Sequence, residues 1–312
     1  MSFSSSIKDE LTLIRLKDDN ARRIMLAALT HTAGSITLGR KGMGIEYVTE
    51  NRNVGQLIAQ IAAKLYDVEA SLSLREHERL KAKNTVVSLV GAGCATILQM
   101  SGCIPREDAM DEAFDMGSIP RELISKPEDI QSFLRGAFLG SGSVSDPSKG
   151  YHLEIVCRHE AFAAELCRLM ESIMLNAKKG KRKSAFLAYV KEGESISDFL
   201  TFIGATEGML AFENARVMRN VANDLNRRSN FEDANMQKAA QAAAQQLLDI
   251  ELLHKEIGIA NLPPKLREAA EVRINNPEAT LMELAEMLNI GKSGMNHRLG
   301  KLSLMAEEIR LH

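Results

Sequence analysis

The sequence predicts an α+β fold. Two pseudo-symmetric αββαββ repeats are followed by an all-α domain that ends in a helix-turn-helix. Three observations predict this. First, an apolar helix running into Gly-Ser-aliphatic occurs at residues 26–36 and again at 133–144, and an offset of 108 residues carries Gly34 onto Gly142. Second, the same offset carries Ser35 onto Ser143, Ile36 onto Val144, Glu46 onto Glu154 and Val48 onto Val156, and further on Ile58, Ile61 and Leu65 onto Leu166, Leu169 and Ile173. Any two amphipathic helices share some apolar positions, so the weight rests on the Gly-Ser-aliphatic pair and on Ile-Glu-Tyr-Val at 45–48 against Leu-Glu-Ile-Val at 153–156. Third, beyond Gly208 the texture becomes helical throughout, with capping and turn signals at short intervals.

The elements follow in order. Residues 6–31 read as two helices, with Leu11 and Ile14, then Ile24, Leu26 and Leu29, at helical spacing. A hairpin follows: residues 35–38, a turn rich in glycine (Gly39, Gly42, Gly44), and residues 45–49. A helix over about 54–66 puts Leu57, Ile58, Ile61 and Leu65 on one face. Strands at 69–75 and 85–90 flank a charged stretch at 77–81. Residues 104–127, with three prolines, connect the copies. The second copy repeats the order with a helix at 128–140, a hairpin at 143–157, a helix at 159–174 and strands near 176–180 and 184–190. A helix at 195–203 closes it. The first domain therefore spans about 1–208, with repeats at about 18–100 and 128–204. Helices 21–32 and 128–139 are expected to pack at its centre, where the small residues Ala27, Ala28, Gly136 and Gly140 let the backbones approach.

The second domain spans 209–312. A helix carries Arg216, Arg219, Arg227 and Arg228, and Asn230-Phe231-Glu232-Asp233 is expected to break or bend it. An Ala/Gln-rich helix then runs from about 234 to 256. Residues 258–264 form a stop, with Pro264 placed to begin the next helix. Three helices follow at about 264–274, 280–288 and 292–310. Thr280 and Glu283 fit a capping box, in which each side chain satisfies an orphan N–H of the other residue. Asn289-Ile290-Gly291 has the length of the turn in a DNA-binding helix-turn-helix. Ser293 is the expected cap of the last helix. Met295, Leu299, Leu302 and Ala306 should face inward, while the other face presents Asn296, His297, Arg298 and Lys301, with Lys292 at its start. No acidic residue occurs from Met287 to Ala306, as expected of a helix that lies against a polyanion.

Phe133-Leu134-Arg135-Gly136-Ala137-Phe138-Leu139-Gly140-Ser141-Gly142-Ser143-Val144 resembles the core helix of the LAGLIDADG homing endonucleases. The resemblance implies that the acidic metal ligand falls on Ser141, and on Ala33 in the first copy. A hydroxyl or a methyl replaces a carboxylate poorly, because hard cations need anionic oxygen ligands. Two further segments narrow the resemblance. They are the linker Arg216-Val-Met-Arg219…Asn226-Arg227-Arg228…Asn235 and the end Lys292-Ser293-Gly294-Met295-Asn296-His297-Arg298-Leu299-Gly300-Lys301-Leu302. Together they resemble the sporulation transcription regulator WhiA family, over essentially the whole chain. That implies a degenerate nuclease-like domain joined to a C-terminal helix-turn-helix. It also implies a transcription factor connected with cell-division or sporulation genes and its own promoter. Gly300 stands where the resemblance leads one to expect a basic residue.

Composition bounds the alternatives. At 312 residues the chain has length for about two domains, and 45% hydrophobic content is ample for cores built without Trp. A net charge of −2 means that any DNA site must come from local segregation of charge. No apolar run approaches the roughly 20 residues of a membrane span, and residues 1–6 lack the features of a signal peptide. Cys94, Cys103, Cys157 and Cys167 form no CxxC pair and read as buried thiols in a reducing cytosol. The expected location is cytoplasmic and nucleoid-associated, with no cofactor and no metal. His31 reads as a packed or hydrogen-bonded histidine. The glycines at 39, 42 and 44 lack the Lys-Ser/Thr of a phosphate loop.

The reading is a non-enzymatic regulator of double-stranded promoter DNA. Asn296, His297 and Arg298 are assigned to base or near-base contacts, and Lys292, Ser293 and Lys301 complete the DNA-binding set. Lys178, Lys179, Lys181, Arg182 and Lys183 form the strongest basic run, with Lys81 and Lys83 at the comparable place in the first copy. The run is either a solvated turn or a secondary phosphate-contacting surface, as are Arg216, Arg219, Arg227 and Arg228. Two competitors remain. One is an active Mg²⁺-dependent endonuclease that recruits Glu46 and Glu154. The other is a scaffold that docks RNA polymerase or a second regulator.

Overall fold

The computed structural model describes residues 2–39, 42–77, 82–105 and 117–311. They group into two packed units, Met1–Arg219 and Asn220–His312. The first unit begins with helices α1 (Phe3–Leu13) and α2 (Asp19–Ala33). Strands β1 (Gly34–Gly39) and β2 (Gly42–Thr49), helix α3 (Arg52–Leu65), strands β3 (Glu69–His77) and β4 (Ala82–Val90) and helix α4 (Gly93–Met100) complete its first half. The second half holds α5 (Pro127–Ser141), β5 (Gly142–Val144), β6 (Leu153–Cys157), α6 (Glu160–Ser172), β7 (Lys178–Arg182), β8 (Ala185–Val190) and α7 (Gly193–Ile203). Each half carries a four-stranded antiparallel sheet, ordered β1-β2-β4-β3 and β5-β6-β8-β7. The expected αββαββ order is present twice. Helix α4 is additional. It is eight residues long and starts without a side-chain cap, so neither length nor punctuation announces it.

The 108-residue offset is a match of strand register. Ser35 pairs with Glu46 and Ile36 with Ile45 in the first sheet, and Ser143 pairs with Glu154 and Val144 with Leu153 in the second. Gly34 and Gly142 each end a seam helix and begin a strand. Between the halves, α2 and α5 pack backbone to backbone, and residues 24–33 of α2 are buried without interruption. A Cβ built on Gly136 would lie 2.5 Å from the Met25 carbonyl oxygen and 3.0 Å from the Ala28 Cβ, and one on Gly140 would collide with the Thr32 hydroxyl. Only glycine allows this approach. The caps follow local chemistry: Asp18 accepts from the Ala21 N–H at 2.8 Å, and Asp129 accepts from the N–H groups of Ser125 and Lys126 at 3.0 Å each.

His31 sits at the seam, buried, with Nε2 against the Ser101 carbonyl at 2.5 Å and its ring stacked on Phe162 at 4.5 Å. A carbonyl partner requires the proton on Nε2. Burial pushes the His31 pKa down to about 4, and the Ser101 carbonyl opposes that only in part. The folded state therefore resists a proton that the unfolded chain takes up near 6.5. The His31 contribution is complete above about pH 6.5 and is lost as the pH falls toward 4, by about 3 kcal/mol in all. Urea unfolding of the first unit between pH 7 and pH 4.5 should show this loss, and His31→Gln should flatten it.

Helix α8 (Thr206–Glu256) is continuous over 51 residues. Of the expected break or bend at 230–233, the break is absent. That tetrapeptide holds neither Pro nor Gly, and its residues cost a helix only tenths of a kcal/mol each. The texture changes near Gly208, but the packed units divide after Arg219. The first turns of α8 belong to the first unit, where Phe212 is buried against Phe3 and Tyr151. In the second unit α9 (Pro264–Asn275), α10 (Leu281–Met287) and α11 (Lys292–Leu311) pack with the end of α8. Their core holds Ile250, Leu253, Leu266, Leu284, Met295, Leu299 and Leu302. The Arg310 guanidinium reaches the buried Asp249 carboxylate at 2.6 Å and ties the end of α11 to α8.

Candidate nucleic-acid interface

The helix-turn-helix is built by α10, its turn and α11. Thr280 Oγ1 accepts from the Glu283 N–H, and the Glu283 carboxylate accepts from the Thr280 N–H at 2.7 Å, so the capping box is complete. Asn289 takes a left-handed φ of 52°, which Asn tolerates better than most residues and which turns the chain sharply. The first helical bond of α11 runs from the Met295 N–H to the Gly291 carbonyl at 3.1 Å. Gly291 is therefore the cap, and Ser293 lies inside the first turn instead of capping it. Met295, Leu299, Leu302 and Ala306 are buried as their spacing demands.

Opposite them lies an open face. Lys292, Ser293, Gly294, Asn296, His297, Gly300 and Lys301 are all exposed. Nothing lies within 4 Å of the Cβ position of Gly300. The face is cationic and rich in donors because the first acid of α11 is Glu307. Arg298 does not join this set. It turns toward α9, where Nη1 donates to Glu268 Oε2 at 3.1 Å and to the Lys265 carbonyl at 3.3 Å, and its side chain is only 17% exposed. The sequence shows residue type and helical phase, but not an acid thirty residues away that claims the guanidinium. Arg298→Ala should therefore lower the stability of the second unit by about 1 kcal/mol, and Glu268→Gln should do nearly the same. Thermal unfolding followed by circular dichroism checks both.

The nuclease-like positions look different. Ala33 is buried at the end of α2. Ser141 Oγ donates to the Val156 carbonyl at 2.6 Å, so the hydroxyl turns back into its own sheet. Glu46 and Glu154 stand at equivalent positions, and each is held by an arginine: Arg75 lies 3.1 Å from Glu46, and Arg182 lies 2.9 Å from Glu154. His152 Nε2 also approaches Glu154 at 3.1 Å. Residues 75 and 182 stand 107 apart, one less than the repeat offset, and that slip hides the paired arginines from a fixed-offset reading. Among the described residues no group of three or more His, Cys, Asp or Glu side chains is arranged to hold a metal ion.

Family models match three stretches of the chain. They are the WhiA N-terminal LAGLIDADG-like domain at residues 19–103, the WhiA LAGLIDADG-like domain at 130–222 and the WhiA C-terminal HTH domain at 225–306. The chain belongs to the WhiA family. It is 38% identical over 314 residues to the "Probable cell division protein WhiA" of Clostridium tetani, a match covering 99% of this chain and 98% of that one. It is 39% identical over 316 residues to the protein of the same name from Alkaliphilus metalliredigens, covering 99% of each. Among solved structures, the full-length DUF199/WhiA from Thermatoga maritima matches with a TM-score of 0.59 at 24% identity, over 99% of each chain. The N-terminal LAGLIDADG domain of DUF199/WhiA matches with a TM-score of 0.50 at 20% identity, over 65% of this chain and 90% of that one. Both likenesses support the fold. The WhiA HTH match covers the whole open face of α11.

The other basic residues of this WhiA-family chain divide by strand alternation. Along β7, Lys178 and Arg182 share the face that carries Glu154, while Lys179 and Lys181 point to the opposite one. There Lys179 pairs with Glu160 and Lys181 lies over the Phe186 ring. Lys183 sits in the hairpin turn with φ of 55°. The run from 178 to 183 is thus not one patch. Lys81 lies outside the described residues, and Lys83 falls on β4. Arg216 pairs with Glu213 of its own helix at 3.2 Å. Arg219 covers the Tyr151 ring at 4.9 Å and donates to the Pro147 carbonyl. Both are occupied within the first unit, whereas Arg227 and Arg228 are exposed on α8. No helix among the described residues is long and apolar enough to cross a membrane.

Proposed function

We propose that this chain is a sequence-specific regulator of transcription that reads double-stranded promoter DNA through α11 and does not cleave it. The open, acid-free face of α11 carries this reading. Asn296 and His297 are assigned to base edges, where Asn can pair bidentately with adenine. Lys292, Ser293 and Lys301 are assigned to phosphates, which fix register without reading sequence. Arg298 holds α11 against α9 through Glu268 and the Lys265 carbonyl, and its DNA role is at most a phosphate contact. Relatives named as probable cell division proteins support targets among cell-division genes, and the sporulation-regulator resemblance adds sporulation genes and the chain's own promoter. The expected setting is the cytoplasm, at the nucleoid, with RNA polymerase or a second regulator as partner. The Ser141 hydroxyl engaged with Val156 and the arginine-held glutamates support a non-cleaving first unit.

The test is fluorescence anisotropy of the full chain on its own upstream DNA and on a scrambled duplex, at two salt concentrations and with Mg²⁺ present. The expected result is a preference for the upstream DNA, binding that weakens steeply with salt, and intact DNA on a final gel. Nicked DNA would restore the endonuclease reading. Equal binding to both duplexes would move the function to the first unit.

A further inference from the structure

The first unit carries a cavity of about 270 Å³ at the seam between its halves. Thr30, His31, Gly34, Ser35, Ile36 and Leu98 line it from the first half, with Cys103, and Arg158 and His159 line it from the second. The repeat offset identifies its counterpart. Thr30 corresponds to Phe138, Gly34 to Gly142, Ile36 to Val144, Arg158 to Glu50 and His159 to Asn51. At the counterpart the space is filled by α1. Ser4 Oγ donates to the Val144 carbonyl and accepts from its N–H, both at 2.8 Å. Lys8 lies 5.9 Å from the centre of the Phe138 ring and within reach of the Glu50 charge. Asp9 accepts from Asn51 at 2.9 Å. The chain's own N-terminal helix thus places a cation opposite Glu50.

At the cavity the sign is reversed. Arg158 stands in place of Glu50, and the group that would complement it is an anion. Arg158 spends Nη1 on the Gly34 carbonyl, and a guanidinium has five N–H donors in all. Glu160, the nearest acid in sequence, is held by Lys179. His31 is neutral and turned to Ser101, so it adds shape and an apolar ring but no charge. We propose that this cavity is a binding site for a small organic anion, a carboxylate or phosphate ester, clamped by Arg158 and His159 against the start of β1. At about 270 Å³ it sits just below the usual range of small-molecule sites, so the ligand is metabolite-sized. A ligand there touches both halves of the nuclease-like unit and makes that unit a candidate sensor. The proposal is independent of how α11 reads DNA.

Cys103 gives a local readout, because Cys94, Cys157 and Cys167 are buried. The experiment is alkylation of the full chain by iodoacetamide, quantified at Cys103 by mass spectrometry. Sodium pyrophosphate and sodium succinate serve as probes, each against sodium chloride at equal ionic strength. Protection of roughly five-fold at about 10 mM of one probe is expected, the mark of a low-millimolar Kd. Pyrophosphate protecting best points to a phosphate ester, and succinate to a carboxylate. Arg158→Gln should abolish protection, while Arg158→Lys should keep part of it, with both variants checked for native circular dichroism. Unchanged Cys103 labelling with both probes in the parent chain overturns the proposal, as does protection that survives in a folded Arg158→Gln variant.

Discussion

Replacing Asn296 and His297 together by alanine is expected to weaken binding to the chain's own upstream DNA by about a hundredfold or more, with scrambled DNA bound almost as before. Each base contact is worth about 1–3 kcal/mol of discrimination, and the two side chains share one open face of α11. Among the described residues neither side chain makes a hydrogen bond, so their loss should leave the melting temperature unchanged. Arg298 makes the useful contrast. Its alanine variant should lose stability first and affinity second, because its guanidinium holds α9. Alanine at Lys292 or Lys301 should instead weaken both duplexes alike and lower the salt slope by about one charge each. Anisotropy titrations beside thermal melts separate the three behaviours. An unchanged preference in the Asn296/His297 double variant would remove α11 as the reading helix.

Gly136→Ala is the second large effect, and its sign opposes helix propensity. In a free helix the change would stabilise by about 1 kcal/mol. Here the new methyl meets the Met25 backbone, carbonyl oxygen and Cα, at 2.5 and 3.1 Å, and backbone cannot rotate away. The seam helices must separate, at a cost of about 2–3 kcal/mol. Gly140→Ala should cost somewhat less: the Thr32 Oγ1 can swing aside after giving up its bond to the Ala28 carbonyl, and the Thr32 Cβ at 2.9 Å, which no rotamer change moves, demands a smaller shift of the helices than the Met25 carbonyl oxygen at 2.5 Å. Urea unfolding of the two variants should rank them in that order. A neutral or stabilising Gly136→Ala would mean that α2 and α5 are not in close backbone contact.

The sequence made the repeats legible because symmetry supplies an internal comparison. The Gly-Ser-aliphatic junction and the Glu of the second strand recur at one spacing and occupy equivalent register positions. The inward face of α11 was legible for a different reason: four apolar residues at helical spacing leave little freedom. What escaped depends on partners far apart in the chain. Glu268 claims Arg298 across thirty residues, and the arginine pairs of Glu46 and Glu154 are offset by one residue from the repeat. Alternation along β7 splits a basic run that looks uniform in one dimension. The helix does not break at 230–233 because a tetrapeptide without Pro or Gly interrupts it only weakly.

The Ser141 hydroxyl bonded to Val156 has a bearing on reversibility. Its proton satisfies a strand carbonyl at 2.6 Å and pins the end of α5 to β6. An aspartate placed there faces the same carbonyl. Ionised, Ser141→Asp would set a carboxylate oxygen against it with no donor between them; protonated, it would keep the bond but offer a metal no anionic oxygen. The second site offers no easier path, since Ala33 is buried and a charge there would need a metal already in place. Each single exchange toward an acidic pair therefore lowers stability by itself, so the hydroxyl at 141 and the methyl at 33 hold their places independently of one another.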